Sequence, residues 1–195
     1  MIIIGLTGSI GMGKSFVADL MKNFNCITLN ADTIAHNFLN SQEVKNHFPE
    51  AIVNNTIDRK LLGNIVFNDE NKLFVLEKII HPKVEEFYLK NIQYFKMHKL
   101  YNYLVIEAPL LFESKLDRLC DYVINVRAPF YIQKKRVLKR NKIDEKQLQN
   151  ILKRQISSKH KSELADFTIN SSLGKNFVLK QLKNIFEEID ATFNS

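Results

Sequence analysis

Gly8-Ser9-Ile10-Gly11-Met12-Gly13-Lys14-Ser15 has the spacing G-x-x-x-x-G-K-S, and each fixed position has a use in phosphate chemistry. A triphosphate needs many N–H donors aimed at one point. Gly8, Gly11 and Gly13 let the chain curl tightly enough to aim them, because glycine tolerates positive φ. The curled N–H groups make a nest for anions, and a helix that follows adds the partial positive charge of its N-terminus. Lys14 reaches the β- and γ-phosphates, and the Ser15 hydroxyl can ligate Mg²⁺. The apolar run Ile2-Ile3-Ile4-Gly5-Leu6-Thr7 reads as a strand directly before the loop, and Ser15 to Met21 reads as a helix directly behind it. The expected ligand is a nucleoside triphosphate with Mg²⁺.

Two carboxylates have positions suited to the same chemistry. Asp32, in Asn30-Ala31-Asp32-Thr33-Ile34-Ala35-His36, follows a second strand candidate and is expected at the carboxyl edge of a sheet, where open α/β sheets bind ligands. There it can accept the proton of an attacking hydroxyl or orient that hydroxyl toward the γ-phosphate. It can also cap a helix, and the two roles are compatible. Glu107 ends the apolar run Tyr103-Leu104-Val105-Ile106, a place from which a carboxylate can hold Mg²⁺ through water, orient Lys14, or simply pair with a nearby base. Pro109-Leu110-Leu111-Phe112-Glu113 then reads either as a turn with an apolar and an acidic handle at that edge or as a plug on the core. Arg136 and Arg140, four residues apart, share a helix face. Arginine makes planar bidentate contacts with phosphate, so a segment carrying both could close on the triphosphate and stabilise transition-state charge.

Positioning these groups requires a sheet. Five short runs rich in β-branched or aromatic residues are expected as strands: Ile2–Thr7, Cys26–Leu29, Tyr103–Ala108, Tyr122–Val126 and Phe167–Asn170. Helical patterns separate them, which predicts a parallel sheet covered on both faces. The first helix shows apolar Val17, Leu20, Met21 and Phe24; the last shows Val178, Leu182, Ile185, Phe186 and Ile189. Between the second and third strands no convincing strand is read, and Asp58–Phe67, Asn71–Ile80 and Pro82–Tyr94 read as three helices. The expected fold is therefore an α/β P-loop NTPase three-layer sandwich with a five-stranded parallel sheet. Residues 1–30 and 101–195 would form the nucleotide-binding core, with a lid at about 130–160. Residues 31–100 would form a helical insertion where a phosphate acceptor could bind.

Composition narrows the class. The 195 residues suit one α/β domain with insertions, and 45% hydrophobic with 25% charged residues is ordinary for a globular chain. The apolar runs are too short to span a bilayer, and no basic segment precedes an apolar stretch at the start, so neither a membrane span nor a secretory signal is expected. Cys26 and Cys120 lack metal-ligand spacing and read as buried free thiols in a reducing cytoplasm. The net charge of +7 is local: residues 133–161 hold 11 of the 28 Lys and Arg but only Asp144 and Glu145 among the acids. Such a segment could bind nucleic acid or close over triphosphate, with Lys134, Lys135 and Lys139 on a solvated face. A nucleic-acid ATPase would interleave stacking aromatics among those bases, and none follows Tyr131, so no nucleic-acid partner is expected.

P-loop proteins include switches as well as kinases. Asn141-Lys142-Ile143-Asp144 fits the NKxD pattern of guanine readers. It follows a basic helical stretch instead of a buried strand, and no D-x-x-G occurs to sense a γ-phosphate. A kinase of a small molecule fits better; a nucleoside or sugar kinase is the alternative within the fold.

In order from residue 2 to about 172, GLTGSIGMGKS, NADTIAH, the His81-Pro82 pair, APLLFE, CDYVINV-x-AP, the Q-x-x-R-x-x-x-R of Gln133 to Arg140, and ADFTINSS together resemble the dephospho-CoA kinase family. The resemblance implies the last step of coenzyme A synthesis, in which ATP phosphorylates the 3′-hydroxyl of the dephospho-CoA ribose. It implies Gly8 to Phe16 as the ATP loop, with Lys14 acting on its phosphates, Asp32 as the catalytic acid–base residue, and Arg140 in a lid over ATP. His81, Leu110 and Phe112 would fall near the acceptor pocket. The chain departs from the family pattern in three places. Asn30 stands where the family more often has Asp, Met12 replaces a common Ser, and Ile151 occupies the Arg place of a lid that often ends R-x-x-x-Q, with Arg154-Gln155 adjacent.

Overall fold

The computed structural model describes residues 1–139, 144–153 and 155–193, and the chain divides into two compact units, residues 1–29 with 98–195, and residues 30–97. The first unit is built on β1 (Ile2–Thr7), β2 (Cys26–Asn30), β5 (Tyr103–Glu107), β6 (Tyr122–Arg127) and β7 (Phe167–Asn170), joined in the order β2-β5-β1-β6-β7. The sheet is parallel: β1 pairs with β5 and β6, and β6 with β7. These are the five strands expected from the sequence, with ends moved by a residue.

Alternation along β1 divides the core. Ile2, Ile4 and Leu6 pack with Val17, Leu20 and Met21 of α1 (Lys14–Met21) and with Val178, Leu182, Ile185, Phe186 and Ile189 of α9 (Lys175–Phe193). Both helices thus cover one face with the apolar stripes legible in their sequences. Gly5 points to the other face, where an added Cβ would stand 2.7 Å from Leu111 Cδ2 and 2.9 Å from Cys120 Sγ. The turn that follows β5 seats Leu111 there, fully buried. α8 (Ser158–Leu164) covers the same face through Ser162 Oγ, 2.8 Å from Asn125 Nδ2 of β6. Cys26 is buried, whereas Cys120 is only partly so. Burial pushes both thiols up to about 12. Among the described residues no helix is long and apolar enough to cross a membrane.

The second unit is mostly helical, with α2 (Ala31–Phe38), α3 (Gln42–His47), α4 (Arg59–Asn68) and α5 (Glu70–His98). Two expectations for this region fail. A two-stranded hairpin, β3 (Ile52–Val53) with β4 (Thr56–Ile57), interrupts it. Its two turn residues, Asn54 and Asn55, both have positive φ (48° and 61°), which suits the tight primed turn of hairpins and which asparagine tolerates. Two-residue strands are too short to leave a readable alternation. Second, residues 71–94 form one helix and not two, because α5 runs through Pro82. Interior proline removes one backbone bond and costs about 3 kcal/mol. Ile80, Val84, Tyr88 and Ile92, spaced four apart across the proline, are all buried on one stripe, and that packing carries the helix through.

Candidate active site

The parallel register explains why distant residues meet. β1 and β5 align Leu6 with Glu107, so the strand that ends in the glycine loop lies beside the strand that ends in the acid. Glu107 is buried, and its Oε1 accepts from Lys14 Nζ at 3.1 Å and from Ser15 Oγ at 2.8 Å. The lysine and hydroxyl of the loop are thus gathered on one carboxylate. Of the readings open for Glu107, the pairing with a base is observed, and the base is Lys14.

The loop itself is held on several sides. Gly8 (φ 148°) and Gly13 (φ 89°) adopt backbone angles that side chains disfavour. A Cβ on Gly8 would stand 2.5 Å from the Val126 carbonyl oxygen, and one on Gly13 would stand 2.9 Å from Ser171 Oγ. Gln133 Nε2 donates to Ile10 O (2.8 Å), Ile10 N donates to Gln155 Oε1 (3.4 Å), and Ser171 Oγ donates to Met12 O (2.5 Å). Met12 is buried, and its sulfur accepts from Ala128 N at 3.1 Å, so the Ser-to-Met departure adds a packing contact. Phe16 is partly exposed on α1.

Among the described residues of the basic segment, Arg136, Lys134 and Lys161 are each engaged by separate partners. In α6 (Phe130–Lys139), Arg136 donates from Nη1 and Nη2 to Ser171 Oγ and O, both at 2.9 Å, which braces the end of β7 against the loop. Lys134 pairs with Glu145 of α7 (Glu145–Lys153) at 2.6 Å. Arg140, called for the lid, lies outside the described residues, as do Asn141, Lys142 and Ile143. Asp144 Oδ1 accepts from Gln147 N (2.7 Å) while Gln147 Oε1 accepts from Asp144 N (3.0 Å). That reciprocal cap starts α7, so the acid of the NKxD-like tetrad serves a helix end.

Lys161, one of eleven basic residues in its segment, carries a contact that the sequence reading missed. Its side chain is wholly buried, with Nζ donating to Pro109 O and 3.0 Å from Glu113 Oε1. Glu113 also accepts from Ile156 N at 2.8 Å. The acidic handle expected of the Pro109–Glu113 turn is therefore turned inward. Burial holds the Lys161 ammonium below its usual pKa, opposed by the Glu113 carboxylate. In that turn Leu110 is exposed and Phe112 half-buried. A cleft of about 570 Å³ opens beside Met12 and Gln133, and neither Lys14 nor Glu107 lines it.

Asp32 and His81 belong to the helical unit. Asn30 Oδ1 caps α2 by accepting from Thr33 N at 3.0 Å, which leaves Asp32 as an exposed second residue of the helix. The cap role left open for Asp32 is thus taken by Asn30, the residue that departs from the family pattern. His81 lies exposed within α5, before Pro82.

The sequence profile of the dephospho-CoA kinase family matches residues 2–175. The chain is 36% identical over 191 residues to a dephospho-CoA kinase of Bartonella quintana, covering 96% of this chain and 97% of that protein. It is 32% identical over 196 residues to one of Wolbachia pipientis, with 96% and 98% covered. A dephospho-CoA kinase structure from Campylobacter jejuni superposes with a TM-score of 0.70 at 28% identity, over 96% of each chain. The structure of TT1252 from Thermus thermophilus gives 0.85 at 29% identity, over 96% of this chain and 97% of that one. Shikimate kinase from Bacteroides thetaiotaomicron, 11% identical with a TM-score of 0.55 over 97% and 98%, shares the fold. The match covers nearly the whole chain in sequence and in structure: this protein belongs to the dephospho-CoA kinase family, kinases of the P-loop fold.

Proposed function

We propose that this chain transfers the γ-phosphate of ATP to the 3′-hydroxyl of the dephospho-CoA ribose, giving coenzyme A and ADP. The observation that carries the phosphoryl-transfer half is the convergence of Lys14 Nζ and Ser15 Oγ on Glu107 Oε1 at the carboxyl ends of β1 and β5. Family membership supports the acceptor.

In this reading the N–H groups of Gly8 to Phe16 cradle the phosphates, and Lys14 leaves Glu107 to stabilise charge on the γ-phosphoryl group. Ser15 Oγ and Glu107, a hydroxyl beside a buried carboxylate, fit a hard divalent ion that keeps several waters, with Ser15 as direct ligand and Glu107 acting through water. Bound there, Mg²⁺ would neutralise phosphate charge. Asp32 takes the proton of the 3′-hydroxyl as the ribose oxygen bonds to the γ-phosphorus and the bond to the bridging oxygen of ADP breaks. Arg140 would act from the lid, and His81, Leu110 and Phe112 would line the acceptor side. Two protonated, unreactive thiols suit work in a reducing cytoplasm.

The test is incubation of the purified chain with ATP, Mg²⁺ and dephospho-CoA, followed by mass and position analysis of the product. Phosphate on the ribose 3′-oxygen supports the reading. Turnover of a free nucleoside or sugar in preference to dephospho-CoA would replace it with the alternative kinase.

A further inference from the structure

The helical unit brings an arginine toward the face of α2 that carries Asp32. Arg59, the first residue of α4, is exposed, and its Nη1 donates to His36 Nδ1 at 3.2 Å. Arginine has no acceptor, so Nδ1 must accept, which leaves the imidazole proton on Nε2. Among the described residues Arg59 makes no ion pair with a carboxylate. Its remaining guanidinium N–H groups and His36 Nε2–H make a cluster of donors with one fixed positive charge. His36 lies four residues after Asp32, so the two share a face of α2, with Cβ atoms about 5–6 Å apart.

We propose that Arg59 and His36 form the subsite for the 5′-diphosphate of the acceptor. The inference rests on Asp32 being the base for the 3′-hydroxyl. In dephospho-CoA the hydroxyl and the diphosphate hang from one ribose, a few bonds apart, on its 3′ and 5′ carbons. One helical turn between a carboxylate and a donor cluster matches that separation. The two ends also need opposite properties: a proton acceptor at the hydroxyl, and a charged donor fork at the diphosphate. A planar guanidinium oriented by a histidine supplies the second, since bidentate arginine contacts to phosphate are strong and directional. The subsite gives the enzyme a means of choosing its acceptor. A nucleoside that offers the same 3′-hydroxyl but lacks 5′-phosphates leaves the fork unfilled.

The test uses the full chain and compares dephospho-CoA with adenosine as acceptors, for wild type, Arg59→Ala, Arg59→Lys and His36→Ala. Equilibrium binding of dephospho-CoA without ATP is measured alongside. Arg59 is exposed and Asp58 caps α4, with its Oδ1 accepting from Lys60 and Leu61 N, so Arg59→Ala should melt like wild type. The expected result is an Arg59→Ala rise of about 10–100-fold in KM and Kd for dephospho-CoA, the range for a charge-assisted contact. kcat, KM for ATP and the slow rate on adenosine should be unchanged. Arg59→Lys should recover part of the loss, and His36→Ala should lose less than Arg59→Ala. Unchanged dephospho-CoA binding in Arg59→Ala overturns the subsite, as does an equal loss on both acceptors, which would mark a structural role. If wild type does not phosphorylate dephospho-CoA at all, the proposed function fails and the subsite fails with it, a result distinct from either.

Discussion

Lys161 Nζ lies 3.0 Å from Glu113 Oε1 with the lysine side chain fully buried, joining α8 to the turn that follows β5. Removing one member of a buried pair strands the other charge, at a cost of about 3–5 kcal/mol. Lys161→Met should lose that much in urea unfolding, and the double variant Lys161→Met with Glu113→Leu should recover much of it. A single variant as stable as wild type would show that the pair contributes nothing.

The same lysine gives a pH signature. Burial lowers its folded pKa below the ordinary 10.5, so on alkalinisation the folded chain releases this proton before the unfolded chain does. Between the two values the unfolded state binds more protons, and the lysine's contribution to stability rises with pH. Urea melts through the alkaline range below 10.5 should show wild type gaining stability relative to Lys161→Met. A constant difference contradicts the assignment.

Glu107→Gln keeps an acceptor for Ser15 but removes the charge that Lys14 pairs with. In the proposed mechanism Glu107 supports Mg²⁺ through water, so its loss should raise the Mg²⁺ concentration for half-maximal activity by about 10–100-fold. Lys14→Ala should instead reduce kcat by at least roughly 10²–10³-fold at any Mg²⁺ level, with the melt little changed. Mg²⁺ titration of initial rates separates the two, and identical titrations for wild type and Glu107→Gln would remove the metal role.

The parts of this arrangement that the sequence makes legible are those that depend on local spacing. The glycine loop between an apolar run and a helical stripe fixes Lys14 and Ser15, and a strand ending in an acid marks Glu107 once β5 is placed beside β1. Pairings that depend on register or depth leave no such trace. Lys161 looks like any lysine in a basic stretch, and only its burial against Pro109 and Glu113 distinguishes it. Pro82 reads as a boundary because the buried stripe that overrides it spans both sides. Asp144 mimics a guanine reader because capping residues and base-reading residues are drawn from the same few types. Asn30 and Asp32 show the same ambiguity two residues apart, and one hydrogen bond to Thr33 N resolves which of them is the cap.

That cap can be checked by itself. Asn30→Ala should cost about 1 kcal/mol of stability and Asn30→Asp almost nothing, as measured by chemical unfolding. Equal stability of all three would mean that the Thr33 bond does not hold the start of α2.

Asp32 carries the central claim, and Asp32→Asn tests it because asparagine keeps the shape but cannot take a proton. With Asn30 as the cap, the variant keeps the hydrogen bond that starts α2, and a melt checks that it stays folded. ATP binding should be unchanged, since the proposed mechanism has the glycine loop hold the nucleotide. The deciding measurement is single-turnover phosphorylation of dephospho-CoA with enzyme in excess over ATP. The account predicts a chemical step slowed by roughly 10²–10⁴-fold in Asp32→Asn, the span of general acid–base catalysis. A variant that transfers phosphate at the wild-type rate would contradict Asp32 as the base.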